Sequence, residues 1–258
     1  MGKRKTAISL LIAGNDDVTA LLNILEANDM PSAKDLLSTI NQVSAMEKHL
    51  AAMVAELGNM RRELAEAQRI NHPIKNAMQK AVITVQAQVL DLRDKLDAVK
   101  QEIIIGCKTA LDALSNQGLS ALRNLSDFFK IRPGLEALQK DIDRAIRQDE
   151  VAISIIEKIS TRYHEAGMHL ANTGRALTGK EAIQKAKPIG KIAKAFMAPI
   201  RADRACCMAM SKCVNKAIGA VGRMEKTEHL PPIKETLKKH NKEMEQARRD
   251  APEVQGRC

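Results

Sequence analysis

Aromatic side chains are nearly missing from this chain. Its 258 residues include no Trp, one Tyr and three Phe. Sheet sandwiches and barrels favour aromatic and β-branched residues, so the scarcity points to helices packed through Leu, Ile, Val, Met and Ala. Aromatic platforms for stacking nucleic-acid bases are short of material for the same reason. Gly and Pro are also few, at thirteen and eight, which predicts long helices with few turns. The five Cys give no paired framework. An odd number without a clear secretion signal favours reduced thiols and a cytoplasmic location. Beyond the short apolar run near the start, no stretch of about 18 residues is free of charge, so no membrane span is expected.

Recognisable chemistry is also missing. There is no P-loop, dinucleotide fingerprint, nucleophile elbow or His-Glu-x-x-His pattern. Cys206, Cys207 and Cys213 lack the spaced Cys and His partners of structural zinc, so they are expected as small buried residues rather than a metal set. No catalytic, cofactor-binding or metal residues are assigned, and no small-molecule substrate is expected. The rival reading is an enzyme assembled from distant groups such as His164, Glu165 and Cys207, which a deep pocket gathering them would support.

What the chain does have is heptad order. Over residues 78–110, small or apolar residues fall at Met78, Val82, Val85, Val89, Leu92, Leu96, Val99, Ile103, Gly106 and Ala110. Steps of four and three are the signature of a helix packed along a seam. Gly106 reads as the weak point of that seam. A second arm repeats Leu36, Val43, Leu50, Leu57 and Leu64, with Thr39, Met46, Met53, Met60 and Ala67 three residues after each. The Met row is expected as a core stripe, pliable enough to leave room for a partner helix. A third arm carries Leu135, Leu138, Ile142, Ala145, Ala152, Ile156, Ile159, Tyr163, Ala166 and Leu170. Asp149 falls on its seam. Because an unpaired buried carboxylate is costly, the bundle is expected to twist there so that Ile146 and Ile153 take over the core.

The predicted fold is all-α: an elongated antiparallel helical bundle or coiled-coil hairpin, followed by a basic amphipathic helical segment. Residues 1–31 hold a short helix with Asn15, Asp16 and Asp17 as N-cap candidates, and 32–179 form the long-helix bundle. Asn71, His72 and Pro73 mark a hairpin or a kink, since proline disfavours helix just before it. A short piece with Leu119, Leu122, Leu125, Phe128 and Phe129 should plug a bundle end. Residues 180–228 form the basic segment, and 229–258 a polar helix (about 233–249) and a disordered tail.

The basic segment concentrates the charge. Residues 175–226 contain twelve Lys/Arg against three acids, a net +9 of the chain's +10. At about 100° per residue, Lys187, Lys191, Lys194, Arg201, Lys212, Lys216 and Arg223 share an arc of roughly 80°. Ile189, Ile192, Phe196, Ile200, Cys207, Met210, Val214, Ile218 and Val221 lie opposite. Pro199 should kink or split this helix. Asp203 falls on the apolar side, which suggests a change of phase after Pro199. The basic face admits several readings: an outer bundle face, contact with DNA or RNA phosphates, an anionic membrane surface or an acidic protein.

The heptad arms, Met-rich seam and basic late segment resemble uncharacterised helical proteins of bacterial conjugative mobile elements. The resemblance is one of texture and carries no site residues. It implies an accessory role near DNA transfer or maintenance. The functional expectation is a non-enzymatic scaffold or protein-interaction protein that self-associates or meets a partner through its helices. Non-specific nucleic-acid binding by the face over 187–223 is the first alternative, and peripheral binding to anionic membrane the second.

Overall fold

The computed structural model describes residues 12–69, 74–185 and 189–227. All regular structure among them is helical. A 3₁₀ turn at Ile12–Gly14 leads into α1 (Asp16–Ala27), then α2 (Ser32–Arg69) and α3 (Lys75–Gln117). A 3₁₀ segment at Gly118–Phe128 precedes α4 (Arg132–Leu177) and α5 (Lys191–Thr227). The boundaries have local causes. The Asn15 carboxamide oxygen accepts from the Val18 N–H at 3.2 Å, satisfying one free donor of α1. Gly118 takes φ +70 where α3 stops. Gly179, at φ +69, closes α4 with Lys180 N–H on the Arg175 carbonyl at 2.9 Å and Gly179 N–H on Ala176 at 3.3 Å.

Side-chain pairs fix the directions of the four long helices. Arg61 of α2 reaches Gln86 of α3 at 2.9 Å, and Glu47 of α2 pairs with Lys100 of α3. Gln88 of α3 meets Gln148 of α4 at 2.7 Å, while Lys95 pairs with Asp141. Gln139 of α4 donates to Ser211 of α5 at 2.8 Å, and Arg132 pairs with Glu225 at 2.5 Å. Arg223 of α5 pairs with Asp35 of α2 at 2.8 Å. Neighbours therefore run antiparallel around the bundle, up-down-up-down. The turn expected at Asn71–Pro73 and the polar helix near the C-terminus lie outside the described residues.

The heptad seams form the core. Every seam position from Met78 to Ala110 is buried, as are Met46, Met53 and Met60. The room left beside the Met row is taken within the chain. The basic segment is the fourth helix of the bundle, and α2 is its most extensive partner. Phe196, Ile200, Cys207, Met210, Val214 and Val221 supply its buried side. Pro199 sits inside α5 without dividing it.

Two expectations need correction. Gly106 is not simply a loose point in α3. A Cβ there would lie 2.5 Å from Cδ1 and 2.7 Å from Cε1 of Phe129, and 2.8 Å from the Phe128 carbonyl oxygen. The missing side chain lets the 3₁₀ segment seat Leu122, Leu125 and Phe129 against the bundle end as the expected plug. The third arm is also buried for less of its length than its heptads suggest. Its core ends near Ile156 and Ser160, whereas Tyr163 is 52% exposed, Leu170 77% and Leu177 86%. The cause is length and stagger. α4 has 46 residues, more than its neighbours, and its first turn is aligned with α5 through Arg132 and Glu225. The excess falls at the other end, where none of residues 161–177 is buried. That overhang reaches roughly 25 Å beyond the four-helix core at 1.5 Å per residue. The chain returns along it, with the Asn172 side chain exchanging hydrogen bonds of 2.9 and 2.6 Å with the Ile183 backbone.

Candidate functional site

The basic face was the first candidate, and the structure divides it. Lys191, Lys194, Lys212 and Lys216 are all exposed on α5. No ion pair among the described residues involves these four. Arg201 instead binds Glu157 of α4 at 2.9 Å, and Arg223 binds Asp35 of α2 at 2.8 Å. Arg204, off the predicted stripe, binds Glu150 at 2.5 Å. The arginines thus tie α5 to its neighbours, while four lysines remain along a row of roughly 37 Å. Lys187 lies outside the described residues.

The second candidate is buried. Asp149 of α4 is 1% exposed and Asp203 of α5 is 0% exposed. Ile146 and Ile153 pack only partly buried beside the core, so the expected exchange of core positions around Asp149 does not occur. Nor does the phase of α5 change after Pro199: Asp203 stays on the apolar side that its wheel position gives. Cys207 stands one turn beyond Asp203, on the same face. Ligand-capable atoms of Asp149, Asp203 and Cys207 all lie within 4.8 Å of one another.

The electrostatics of this cluster are unusual for acids. Apart from each other, Oδ2 of Asp149 and both carboxyl oxygens of Asp203 find no N–H or O–H donor among the described residues. Burial, then the negative charge of Asp203, pushes the Asp149 carboxyl up to about 8. Burial pushes Asp203 up to about 7, opposed by a hydrogen bond from Asp149 and assisted by Glu56. Arg204 favours the charged form of Asp149, but its guanidinium is engaged by Glu150. The consistent state is one proton held between two carboxyls, Asp149 donating to Asp203. Burial also raises the Cys207 thiol, so it carries its proton. Asp149 also lines a groove of about 340 Å³ between α3 and α4, bordered by Ala81, Val85, Val151 and Ala152.

The distant enzyme triad does not assemble. His164 borders a cleft of about 570 Å³ with Gly167, Leu170 and Ile183. Glu165 is exposed on α4, and Cys207 lies in the bundle core. The acid pair was visible in sequence only as two separate anomalies, one acid on the apolar face of each of two helices. Their separation of 54 residues hid the relation between them.

Residues 14–257 match DUF6674, a family of unknown function. The chain belongs to that family. No curated protein and no solved structure matches it. The DUF6674 match takes in all five α-helices, both the lysine row and the buried acids. No helix among the described residues is long and apolar enough to cross a membrane.

Proposed function

We propose that this DUF6674 protein is a non-enzymatic helical interaction protein that self-associates through the overhang of α4. The observation that carries this reading is the unburied seam of residues 161–177. Ala166, Leu170 and Leu177 share one exposed side of the projecting helix, and Ala166 and Leu170 border the cleft that the returning chain makes at Ile183. Two overhangs packed antiparallel about Leu170 set Leu177 against the partner's seam. Burying a Leu side chain is worth roughly 1.5–3 kcal/mol. Leu170 and Leu177 from each of two chains contribute roughly 6–12 kcal/mol, about the size of the roughly 4–15 kcal/mol that association costs. The association is therefore expected to be weak and concentration-dependent.

Sedimentation or light scattering of the full chain should show dimers that dissociate on dilution. Leu170→Glu combined with Leu177→Glu should give a monomer with little change in Tm, because neither residue belongs to the core. A wild-type protein that stays monomeric at high concentration overturns the reading.

A second reading rests on the four lysines of α5 that lack an ion pair. Such a row suits phosphate backbones without base readout, in keeping with an accessory role in DNA transfer on a mobile element. Affinity for DNA or RNA should fall steeply with salt. Replacing Lys191, Lys194 and Lys212 by Gln should weaken binding and flatten the salt slope by about 0.9 for each phosphate no longer neutralised. Binding to anionic vesicles rather than nucleic acid would move this face to a membrane role. Binding to neither leaves it a solvated surface.

A further inference from the structure

We infer that Asp149, Asp203 and Cys207 form a binding site for one divalent transition-metal ion of the zinc class, set between α4 and α5. Two carboxylates and a thiol from two helices converge within 4.8 Å. Asp203 is 0% exposed, and its oxygens have no donor among the described residues other than the carboxyl of Asp149. A buried carboxylate in that condition demands a proton or a cation. No Lys or Arg among the described residues forms an ion pair with either acid, so none of those cations supplies the charge.

The donor set selects the kind of ion. Magnesium and calcium take six or more oxygen ligands, and here there are two carboxyl groups and a sulfur. A thiolate beside carboxylates suits Zn²⁺, Co²⁺ or Fe²⁺. Tetrahedral bonds of roughly 2.0–2.3 Å place ligand atoms roughly 3.3–3.7 Å apart. Side-chain rotation of about an ångström therefore closes the present spacing onto an ion. Coordination displaces the proton shared by the two carboxyls and the thiol proton, releasing both to solvent. The three side chains leave a fourth position open. Asp149 also lines the groove between α3 and α4, which gives the ion a route in and gives the open position a water or a small ligand.

The test uses the full-length protein, stripped with a chelator and titrated with Zn²⁺ or Co²⁺. The expected result is one ion per chain, a rise in Tm, and a thiolate-to-cobalt charge-transfer band. Cys207→Ser should abolish the band and weaken Zn²⁺ binding at least tenfold. Cys206→Ser, which alters the adjacent partly exposed thiol, should keep both. Asp203→Asn should weaken binding comparably while circular dichroism remains helical, which covers the case of a Cys207 variant that does not fold. Lack of stoichiometric binding, or a cobalt band that survives in Cys207→Ser, overturns the inference and leaves the acids as a proton-sharing pair. Neither outcome bears on self-association through α4, which is read separately by sedimentation.

Discussion

With chelator present, the double variant Asp149→Asn, Asp203→Asn should be more stable than the wild type at pH 8 and should lose most of the pH dependence. Both acids hold protons more tightly in the folded chain than in the unfolded one, where an ordinary value near 3.8 applies, against about 8 and about 7 when folded. Over that window the folded state binds more protons, so stability falls as pH rises. One extra proton retained on folding costs about 1.4 kcal/mol per pH unit. Each proton retained on folding therefore removes roughly 3 kcal/mol between about pH 5 and pH 7. That is a large part of the roughly 5–15 kcal/mol that holds a typical domain. Two Asn side chains keep the volume and pair amide to amide without titrating. Urea unfolding at pH 5 and pH 8 measures the effect. Parallel pH profiles for variant and wild type would sink the shared-proton account.

The second large effect concerns Gly106, and its sign is opposite to that of an ordinary helical glycine. At Gly58 of α2 an added Cβ would meet nothing within 4 Å, so Gly58→Ala should gain about 0.5–1 kcal/mol from the reduced freedom of the unfolded chain. Gly106→Ala receives the same gain and loses more. The new methyl meets the Phe129 ring, which can turn, and the Phe128 carbonyl, which moves only with the whole 3₁₀ segment. Overpacking of this kind costs about 1–3 kcal/mol. The net loss should be about 1 kcal/mol, a fall of roughly 2–4 °C in Tm. Gly106→Leu should be worse, with Leu122 and Leu125 partly released to solvent. Equal stabilisation by both alanine variants would show that the plug does not dock on α3.

These two sites also show where sequence reasoning stops. The α3 seam was legible because heptad spacing is a local property of one helix, and all ten positions from Met78 to Ala110 are buried. The start of α1 was legible because a cap such as Asn15 acts within a turn of itself. Gly106 was misread because its role depends on Phe129, which comes back to it through a turn and a 3₁₀ segment. Asp149 was misread because its partner lies on another helix. The exposure of Leu170 was hidden for a third reason. A heptad says which side of a helix is apolar, but only the alignment of neighbouring ends decides how far that side is covered. The lysine row of α5 was legible as a face. That its arginines are spent on Glu157, Glu150 and Asp35 was not, since those acids sit on other helices.

The most extensive interface of the bundle joins α2 to α5, the first long helix to the last. On a ribosome this means that α2 emerges early and waits for its cover. At roughly 5–20 residues per second, the interval between the end of α2 and the end of α5 is roughly 10–30 s. During it, α2, α3 and α4 can pair as they appear, while the side of α2 that α5 covers faces an open trough. Closing the ring is therefore among the last folding events for this chain. A side chain as pliable as methionine suits a surface that must stay presentable until the last helix arrives.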